Sequence, residues 1–269
     1  MPKQPSKKVM DSLPAPPKKR TDPLFVSSLE KAVQVLEAFD STSRSLSLSE
    51  LSTKTGFNKS AVQRFLYTWE ALGYLEKDRD TKRFSLSPKV MSLSYHYLKG
   101  KRLVEVATPI LLEIRKRLGC PVYLGTLYET DIMYLIRLPQ RFLLLESTLP
   151  GRRVPAFCGG RAFLSRLDKN TVKTLLEQSE RQQLTPYTIT GGAENINEVE
   201  KAKRLGYAVS KQEQLIGEIS VSAAVVNSSG EPIAAVYASA DCSEWDEERI
   251  HTELAPVVLK AAADIGLQF

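Results

Sequence analysis

The sequence predicts an α+β protein in which an N-terminal winged helix-turn-helix precedes a domain with a mainly antiparallel sheet. Two short helical patterns separated by a glycine and followed by a basic hairpin, all within residues 29–86, predict the first domain. Helices and hairpins that alternate from residue 101 onwards predict the second. A length of 269 residues is enough for two hydrophobic cores.

Residues 1–24 are rich in Pro, Lys and Ser and have few apolar side chains. We therefore expect a disordered basic arm. This arm either stays in solvent, which is the interpretation we favour, or contacts DNA phosphates. The N-terminus lacks the apolar stretch of a secretory signal, and the sequence has no apolar run of about 20 residues. These features predict a cytoplasmic protein with no membrane partner.

The domain expected over residues 25–87 begins with an amphipathic helix, because Leu29, Val33, Leu36 and Phe39 have helical spacing and Ser28 can cap them. A polar loop over residues 40–47 follows.

Ser47 and Glu50 fit a capping box, which predicts a short helix running to about Lys54. Gly56 then provides the tight turn before a longer helix that starts near Asn58. We expect this longer helix to end at Gly73, and to have two distinct faces. Its apolar stripe comprises Val62, Phe65, Leu66, Trp69 and Leu72. Its polar face comprises Lys59, Ser60, Gln63, Arg64 and Tyr67.

Residues 74–77 and 83–86 are predicted to form two strands around a polar, basic tip at residues 78–82, which completes the winged motif. Charge agrees with a polyanionic partner for this part of the chain. Residues 1–99 contain 17 Lys and Arg against 10 Asp and Glu, whereas residues 100–269 contain 20 against 21.

A basic amphipathic helix alone could be an ordinary solvated helix, but here it follows a capping box and a glycine turn and precedes a basic hairpin. We therefore expect double-stranded DNA as a partner, with Ser60, Gln63 and Arg64 reading base edges. The residues expected to bind phosphates are Lys59, Tyr67, Arg79, Lys82 and Arg83.

Pro88 begins a linker helix predicted over residues 88–100, with apolar residues that include Val90, Leu93 and Tyr97. This helix either pairs two subunits or packs within its own chain.

The second domain, residues 101–269, is predicted from shorter patterns. Helices are expected over residues 103–118, over a short segment after Gly160 and over residues 170–180. A fourth helix is expected to be capped by Asn195 with Glu198 and to end at Gly206. The last helix is expected over residues 244–265, with a bend at Pro256. The expected strands cover residues 121–128, 131–138, 141–149, 218–227 and 232–240.

The last two strands carry a pattern that suits a ligand. If Asn227 pairs with Pro232, Ser220 faces Ser239 and Ser222 faces Tyr237. Three hydroxyls and a phenol on one sheet face could bind a carboxylate or hydroxyl of a small molecule. An ordinary exposed sheet face would have the same composition.

Catalytic and metal chemistry find little support. Cys120, Cys158 and Cys242 are far apart and only His96 and His251 accompany them, so neither a zinc site nor a disulfide framework is expected. None of the common hydrolase, metalloprotease or nucleotide-binding motifs occurs. Gly159-Gly160-Arg161 could offer amides to an anion or form a tight turn. We expect no cofactor, no metal and no catalytic residue.

Several blocks of the sequence closely resemble the IclR family of bacterial transcription regulators, in the family's order and over about residues 25–266. The blocks are SSLEKAVQVLEAF, LSLSELSTKTGFNKSAVQRFLYTWEALGYLEKD, RFSLSPKVMSL, LVEVATPILLEIRKRLG, GRRVPAFCGGRAFLSRL, LTPYTITG and LGYAVSKQEQLIGEISVSAAVVNSSGEPIAAVYASA.

The resemblance implies a GAF-like effector-binding domain, a homodimer or homotetramer, and control of neighbouring catabolic genes in response to a small carboxylic acid, frequently an aromatic one. It implies pocket residues Gly160, Arg161, Ala162, Ser210, Ser220, Tyr237 and Ser239, to which the hydroxyl pattern of the hairpin adds Ser222. The family commonly has an acidic residue at the position of Ser210 and a lysine at that of Arg161, and Tyr237 is bulkier than usual. The rival interpretation is a metabolite-binding protein or enzyme whose N-terminal domain mediates protein contacts.

Overall fold

The computed structural model describes residues 22–139 and 149–269. The chain divides after Gly100 into two compact units, the first ending there and the second spanning Lys101–Phe269. Most of the predicted arm at residues 1–24 and of the predicted strand at residues 141–149 lies outside the described residues.

The first unit packs helices and a small antiparallel hairpin around one apolar core. Its elements are α1 (Ser27–Glu37), α2 (Leu48–Thr55), α3 (Lys59–Ala71), β1 (Leu75–Lys77), β2 (Phe84–Leu86) and α4 (Val90–Lys99). In the hairpin, Leu75 pairs with Leu86 and Lys77 with Phe84. The core comprises Val35, Ala38, Phe39, Leu46, Leu51, Val62, Leu66, Leu75 and Phe84.

Local signals set the helix ends in this unit. The capping box is confirmed, since the Ser47 hydroxyl accepts the Glu50 N–H at 3.3 Å and the Glu50 carboxylate accepts the Ser47 N–H at 2.7 Å. Gly56 has a φ of 72°, the left-handed conformation that the turn requires. Asn58 caps α3 by accepting the Ala61 N–H at 2.8 Å, and Gly73 ends that helix with a φ of 78°.

The predicted stripe of α1 is partly wrong. The helix begins at Ser27 with Val26 at its N-cap, and its buried side chain is Val35. Leu29 and Val33 are 58% and 38% exposed. The Trp69 indole of α3 donates to the Ala32 carbonyl of α1 at 2.7 Å, and the side chain that α1 buries is Val35 rather than Leu29.

Two further apolar predictions also change. Leu72, assigned to the stripe of α3, is exposed at the end of that helix. All side chains of α4 are at least partly exposed, including Leu93 and Tyr97. Packing of α4 within its own chain therefore leaves much of its apolar surface in contact with solvent.

The second unit is built on one six-stranded antiparallel sheet with the order β5-β4-β3-β8-β7-β6. The strands are β3 (Val122–Tyr128), β4 (Asp131–Leu138), β5 (Arg153–Pro155), β6 (Ala208–Lys211), β7 (Glu218–Val226) and β8 (Pro232–Asp241). The helices are α5 (Arg102–Leu118), α6 (Ala156–Gly159), α7 (Arg161–Leu164), α8 (Lys169–Gln178), α9 (Gly192–Leu205), α10 (Glu247–Arg249) and α11 (Ala255–Gly266), with a π-helical turn at Ile250–Leu254 before Pro256.

The two faces of this sheet are covered by different helices. On one face, Leu124, Val221 and Val236 pack with Leu111 of α5 and Val258 of α11. On the other face, Tyr134, Ala235 and Tyr237 pack with Phe157, Phe163 and Leu164 from α6 and α7. Both faces are therefore buried, which places polar residues of the sheet in an apolar environment.

The hairpin register is confirmed at the positions that matter for the site. Ser220 pairs with Ser239 and Ser222 with Tyr237. The assumed pair of Asn227 with Pro232 is wrong by one residue, because a bulge between Val225 and Val226 shifts the register near the turn.

One helix start is also wrong. Asn195 was predicted to cap a helix, but α9 begins three residues earlier and Asn195 is fully buried inside it. Its amide group donates to the carbonyls of Ile189 and Gly191. The residue that resembled a cap is instead part of a buried polar network.

Candidate functional site

The outer face of α3 presents every residue predicted to contact DNA from that helix. Lys59, Ser60, Gln63, Arg64 and Tyr67 are all exposed, whereas Val62 and Leu66 are buried. An amphipathic helix anchored on one side and polar on the other can enter a major groove with its N-terminal turns foremost.

The hairpin tip carries two exposed cations, Arg79 and Lys82. Asp78 shapes the tip by accepting the N–H groups of Asp80 and Thr81 at 3.0 and 2.6 Å. The bonds from the backbone and hydroxyl of Thr81 lower the pKa of Asp78. The tip is thus a folded turn that holds its cations outward.

Arg83 occupies a different position from the other predicted phosphate ligands. Its guanidinium pairs with Glu50 at 2.8 Å and donates to the Ser45 carbonyl at 2.7 Å. The bonds from the Ser47 N–H and hydroxyl, and then from Arg83, lower the pKa of Glu50 to about 2. Arg83 thereby joins the hairpin to α2, so a phosphate would have to share it with Glu50.

In the second unit, the predicted hydroxyl residues lie on the sheet face that α6 and α7 cover. We call Ser220, Ser222, Tyr237 and Ser239 the hydroxyl face. All four side chains are buried, so the alternative of an ordinary solvent-exposed sheet face is wrong.

Arg161, predicted as a pocket residue, is 1% exposed and forms a bidentate ion pair with Glu213 at 2.5 and 2.7 Å. It also donates to Asn195 at 3.0 Å. Ser210, another predicted pocket residue, donates to the same Glu213 carboxylate at 3.4 Å. Glu213 thus places an acidic group between Arg161 and Ser210, and it neutralises the charge of Arg161.

Gly160 and Ala162 have packing roles beside Arg161, and Ala162 packs with Ala202 and Ala208. A Cβ atom at Gly160 would lie 2.9 Å from atoms of Ala156, so only glycine allows α6 and α7 to approach this closely. The Gly160 N–H donates to the Ala156 carbonyl at 2.8 Å. This favours the tight-turn interpretation of the glycine pair over an amide cradle for an anion.

Two aromatic residues that the sequence reading missed extend the site across the sheet. Tyr123 pairs in register with both Tyr237 and Arg137. The ring of Tyr134 contacts those of Tyr123 and Tyr237 at centroid distances of 5.2 and 5.4 Å. Strand alternation and the turn between residues 128 and 131 could have indicated Tyr123 and its pairing with β4, but β8 as the other neighbour of β3 was not predictable.

Arg137 and Glu218 add charge to this aromatic group. The Arg137 guanidinium lies 5.2 Å from the Tyr123 ring centroid and 5.5 Å from that of Tyr134. Burial raises the pKa of Glu218, against the opposing charges of Arg152 and Arg137 and a hydrogen bond from Ser239. Burial, followed by the charge of Glu218, raises the pKa of Tyr123 to about 12.

Two surface grooves lie elsewhere in the second unit. One of about 420 Å³ runs between α8 and α9 and one of about 440 Å³ between α5 and α11. Within the described residues, the linings of both grooves exclude the hydroxyl face.

Comparison with known proteins identifies both units. Residues 95–267 match the family described as "Bacterial transcriptional regulator IclR C-terminal", and residues 28–79 match the "IclR helix-turn-helix domain". No helix among the described residues is long and apolar enough to cross a membrane.

Named relatives cover nearly the whole chain. The Pca regulon regulatory protein of Pseudomonas putida is 28% identical over 248 residues, which are 91% of this chain and 84% of that protein. The p-hydroxybenzoate hydroxylase transcriptional activator of Acinetobacter baylyi is 27% identical over 90% and 91% of the two chains. An IclR homologue of Microbacterium hydrocarbonoxydans, solved in complex with 4-hydroxybenzoate, shares the fold with a TM-score of 0.72 at 20% identity over 89% and 97%. The relatives are regulators, in agreement with the prediction that this chain is not an enzyme.

Proposed function

Because this chain belongs to the IclR family of transcription regulators, we propose that it controls a catabolic operon in response to a small carboxylic acid. We favour an aromatic acid as this effector. The observation that carries the proposal is the buried polar and aromatic site of the second unit, in the same chain as an exposed helix-turn-helix. Regulators named for the pca regulon and for p-hydroxybenzoate hydroxylase, and a homologue solved with 4-hydroxybenzoate, support the choice of effector.

We assign α3 as the recognition helix. Arg64 can bind a guanine with two hydrogen bonds and Gln63 an adenine, each worth about 1–3 kcal/mol of discrimination, with Ser60 as a further base contact. Lys59, Tyr67, Arg79 and Lys82 would bind phosphates and make affinity depend on salt. Arg83 remains a candidate phosphate ligand, and its guanidinium also pairs with Glu50.

We assign the effector contacts to the hydroxyl face and its neighbours. Ser220, Ser222, Ser239 and Tyr237 would provide hydrogen bonds, with Ser210 beside Ser220 on the neighbouring strand β6. Gly160, Arg161 and Ala162 would form the wall opposite the sheet. Acting on bacterial DNA, the protein would work in the cytoplasm.

We also propose that the protein acts as a homodimer or homotetramer. A two-fold symmetric protein can read both halves of a palindromic operator. The exposed apolar residues Met91, Leu93 and Tyr97 of α4 offer a surface for pairing. Sedimentation analysis of the full chain should show at least a dimer, and a monomer at micromolar concentration would contradict this.

The test is binding to the DNA upstream of the protein's own gene at several salt concentrations. Affinity should fall steeply as salt rises, and the upstream DNA should be preferred over random DNA. Lys173→Ala, which removes an exposed lysine of the second unit, provides a matched control and should leave binding unchanged. A flat salt response, or equal affinity for random DNA, would refute the proposal.

A further inference from the structure

Arg83 lies where the hairpin tip returns to β2. Its backbone carbonyl accepts the N–H of Asp78 at 2.9 Å, and this hydrogen bond closes the tip. The side chain of Arg83 is 36% exposed and points away from the tip, toward α2. Arg79 and Lys82, the cations of the tip itself, are exposed. Arg83 therefore differs in its surroundings from the two cations that the tip presents to solvent.

The Arg83 guanidinium is bound at three points on the segment that begins α2. It donates to the Ser45 carbonyl at 2.7 Å and to the Ser45 hydroxyl at 3.3 Å, and it pairs with the Glu50 carboxylate at 2.8 Å. The backbone brings these groups together, because Leu46 and Phe84 exchange hydrogen bonds of 2.9 and 2.8 Å as an antiparallel pair. One side chain thus connects the base of the tip to the start of α2.

Glu50 is itself held in place by a second interaction. In the capping box its carboxylate accepts the Ser47 N–H at 2.7 Å. Helix α2 packs in turn against α3, with Leu51 and Val62 in the same apolar core. The contacts from Arg83 through Glu50 to these two helices are continuous, so they fix the hairpin tip relative to α3.

Direct binding of a phosphate by Arg83 would disturb this arrangement. The Nε of Arg83 and one of its terminal nitrogens already donate to Ser45 and Glu50. A phosphate bound by the same two nitrogens would displace Ser45 and lie against the Glu50 carboxylate, which repels it. The geometry therefore favours a role for Arg83 within the protein.

We propose that Arg83 positions the hairpin tip for DNA binding through its contacts with Glu50 and Ser45. The tip cations Arg79 and Lys82 then meet phosphates beside the groove that α3 enters, and Arg83 itself contacts no phosphate. The inference rests on the proposed assignment of α3 and the hairpin to DNA. An exposed ion pair contributes little by attraction alone, but a tip that is fixed beforehand loses less freedom on binding. Glu50 therefore favours DNA binding although it is negatively charged.

The test measures the affinity of the full chain for its upstream DNA in Glu50→Gln and in a matched control, Asp40→Asn. Glutamine keeps the capping box but offers Arg83 no charge. Asp40 pairs with Lys54 in the same unit, and the two side chains are 46% and 37% exposed, against 47% and 36% for Glu50 and Arg83. Each substitution removes one negative charge, so attraction to DNA alone predicts slightly tighter binding by both variants. Positioning predicts about threefold weaker binding by Glu50→Gln, with Asp40→Asn at least as tight as the wild type.

A second comparison distinguishes positioning from a general defect of folding. When Arg79 and Lys82 are both replaced by alanine, the tip has no cations left to place. Glu50→Gln should therefore no longer weaken DNA binding in that background, which makes the effects of the substitutions non-additive. A general defect would weaken binding by the same factor in both backgrounds.

The inference is overturned if Glu50→Gln binds DNA as tightly as Asp40→Asn, or if its loss of affinity persists without Arg79 and Lys82. The first result would make Arg83 a phosphate ligand released by its partner, and the second would give it a role in the fold alone. Failure of the regulator function looks different, since the wild-type chain would then show no preference for upstream DNA over random DNA.

Discussion

Replacing Glu213 by Gln should destabilise the second unit strongly. The substitution keeps the shape of the side chain but removes the only charge that pairs with Arg161 in the described network. Arg161 is 1% and Glu213 4% exposed, so water cannot replace the lost charge. Breaking a buried pair from one side costs about 3–5 kcal/mol, because the remaining ion stays buried without compensation.

Urea unfolding measures this loss. The fluorescence of Trp245 reports on the second unit, since the other tryptophan of the chain is Trp69 in the first. With a denaturant slope of about 2 kcal/mol/M, a loss of about 4 kcal/mol lowers the midpoint of unfolding by about 2 M. Far-UV circular dichroism should show the same displacement for the helices of that unit.

An exposed ion pair of the same unit provides the control. Lys169 is paired with Glu200 at 3.1 Å, and its side chain is 81% exposed. Lys169→Ala should change stability by less than about 0.5 kcal/mol. The double variant Arg161→Met with Glu213→Leu should be more stable than Glu213→Gln alone, because it leaves no buried charge. Equal midpoints for Glu213→Gln and Lys169→Ala would refute the reasoning.

Three further outcomes concern the first unit. In competition titrations, Arg64→Ala should lower discrimination between bases at one base pair by about 1–3 kcal/mol. Lys59→Ala should instead weaken binding to all DNA sequences and reduce the slope of log affinity against log salt concentration by about 1. Gly56→Ala should lower stability by about 1 kcal/mol in thermal unfolding, because its φ of 72° is unfavourable for alanine. The pKa of Glu50 is lowered from 4.5 to about 2, so its bond to Ser47 stabilises the fold fully above pH 4.5 and is lost as the pH falls toward 2. Glu50→Gln should therefore make the free energy of unfolding less dependent on pH over that range. An unchanged pH dependence would contradict this.

Short-range signals account for what the sequence predicted well. The capping box joins Ser47 to Glu50 and the asparagine cap joins Asn58 to Ala61, each over three residues, and Gly56 acts through its own backbone conformation, so the sequence alone contains these signals. The same holds for the register of the hairpin, since alternation and a short turn relate Ser220 to Ser239. The bulge near Val226 escaped prediction because it depends on how the turn meets its neighbours.

Longer-range choices were open until the tertiary structure was known. Which side of α1 is buried depends on the contact of Ala32 with Trp69, 37 residues away. Asn195 looked like a helix cap because its spacing to Glu198 is correct, but burial gave it Arg161 as a partner instead.

The amino-acid sequence by itself determined a winged helix-turn-helix with its basic face, and a hydroxyl-bearing hairpin, because periodicity and capping are properties of neighbouring residues. Only the tertiary structure decided what the site around that hairpin can bind. It neutralised Arg161 with Glu213, 52 residues away, and placed Tyr237 of β8 beside Tyr123 and Arg137, whose strands β3 and β4 lie far from β8 in the chain. Charge compensation and strand order follow from the packing of the whole sheet, which local sequence patterns do not specify.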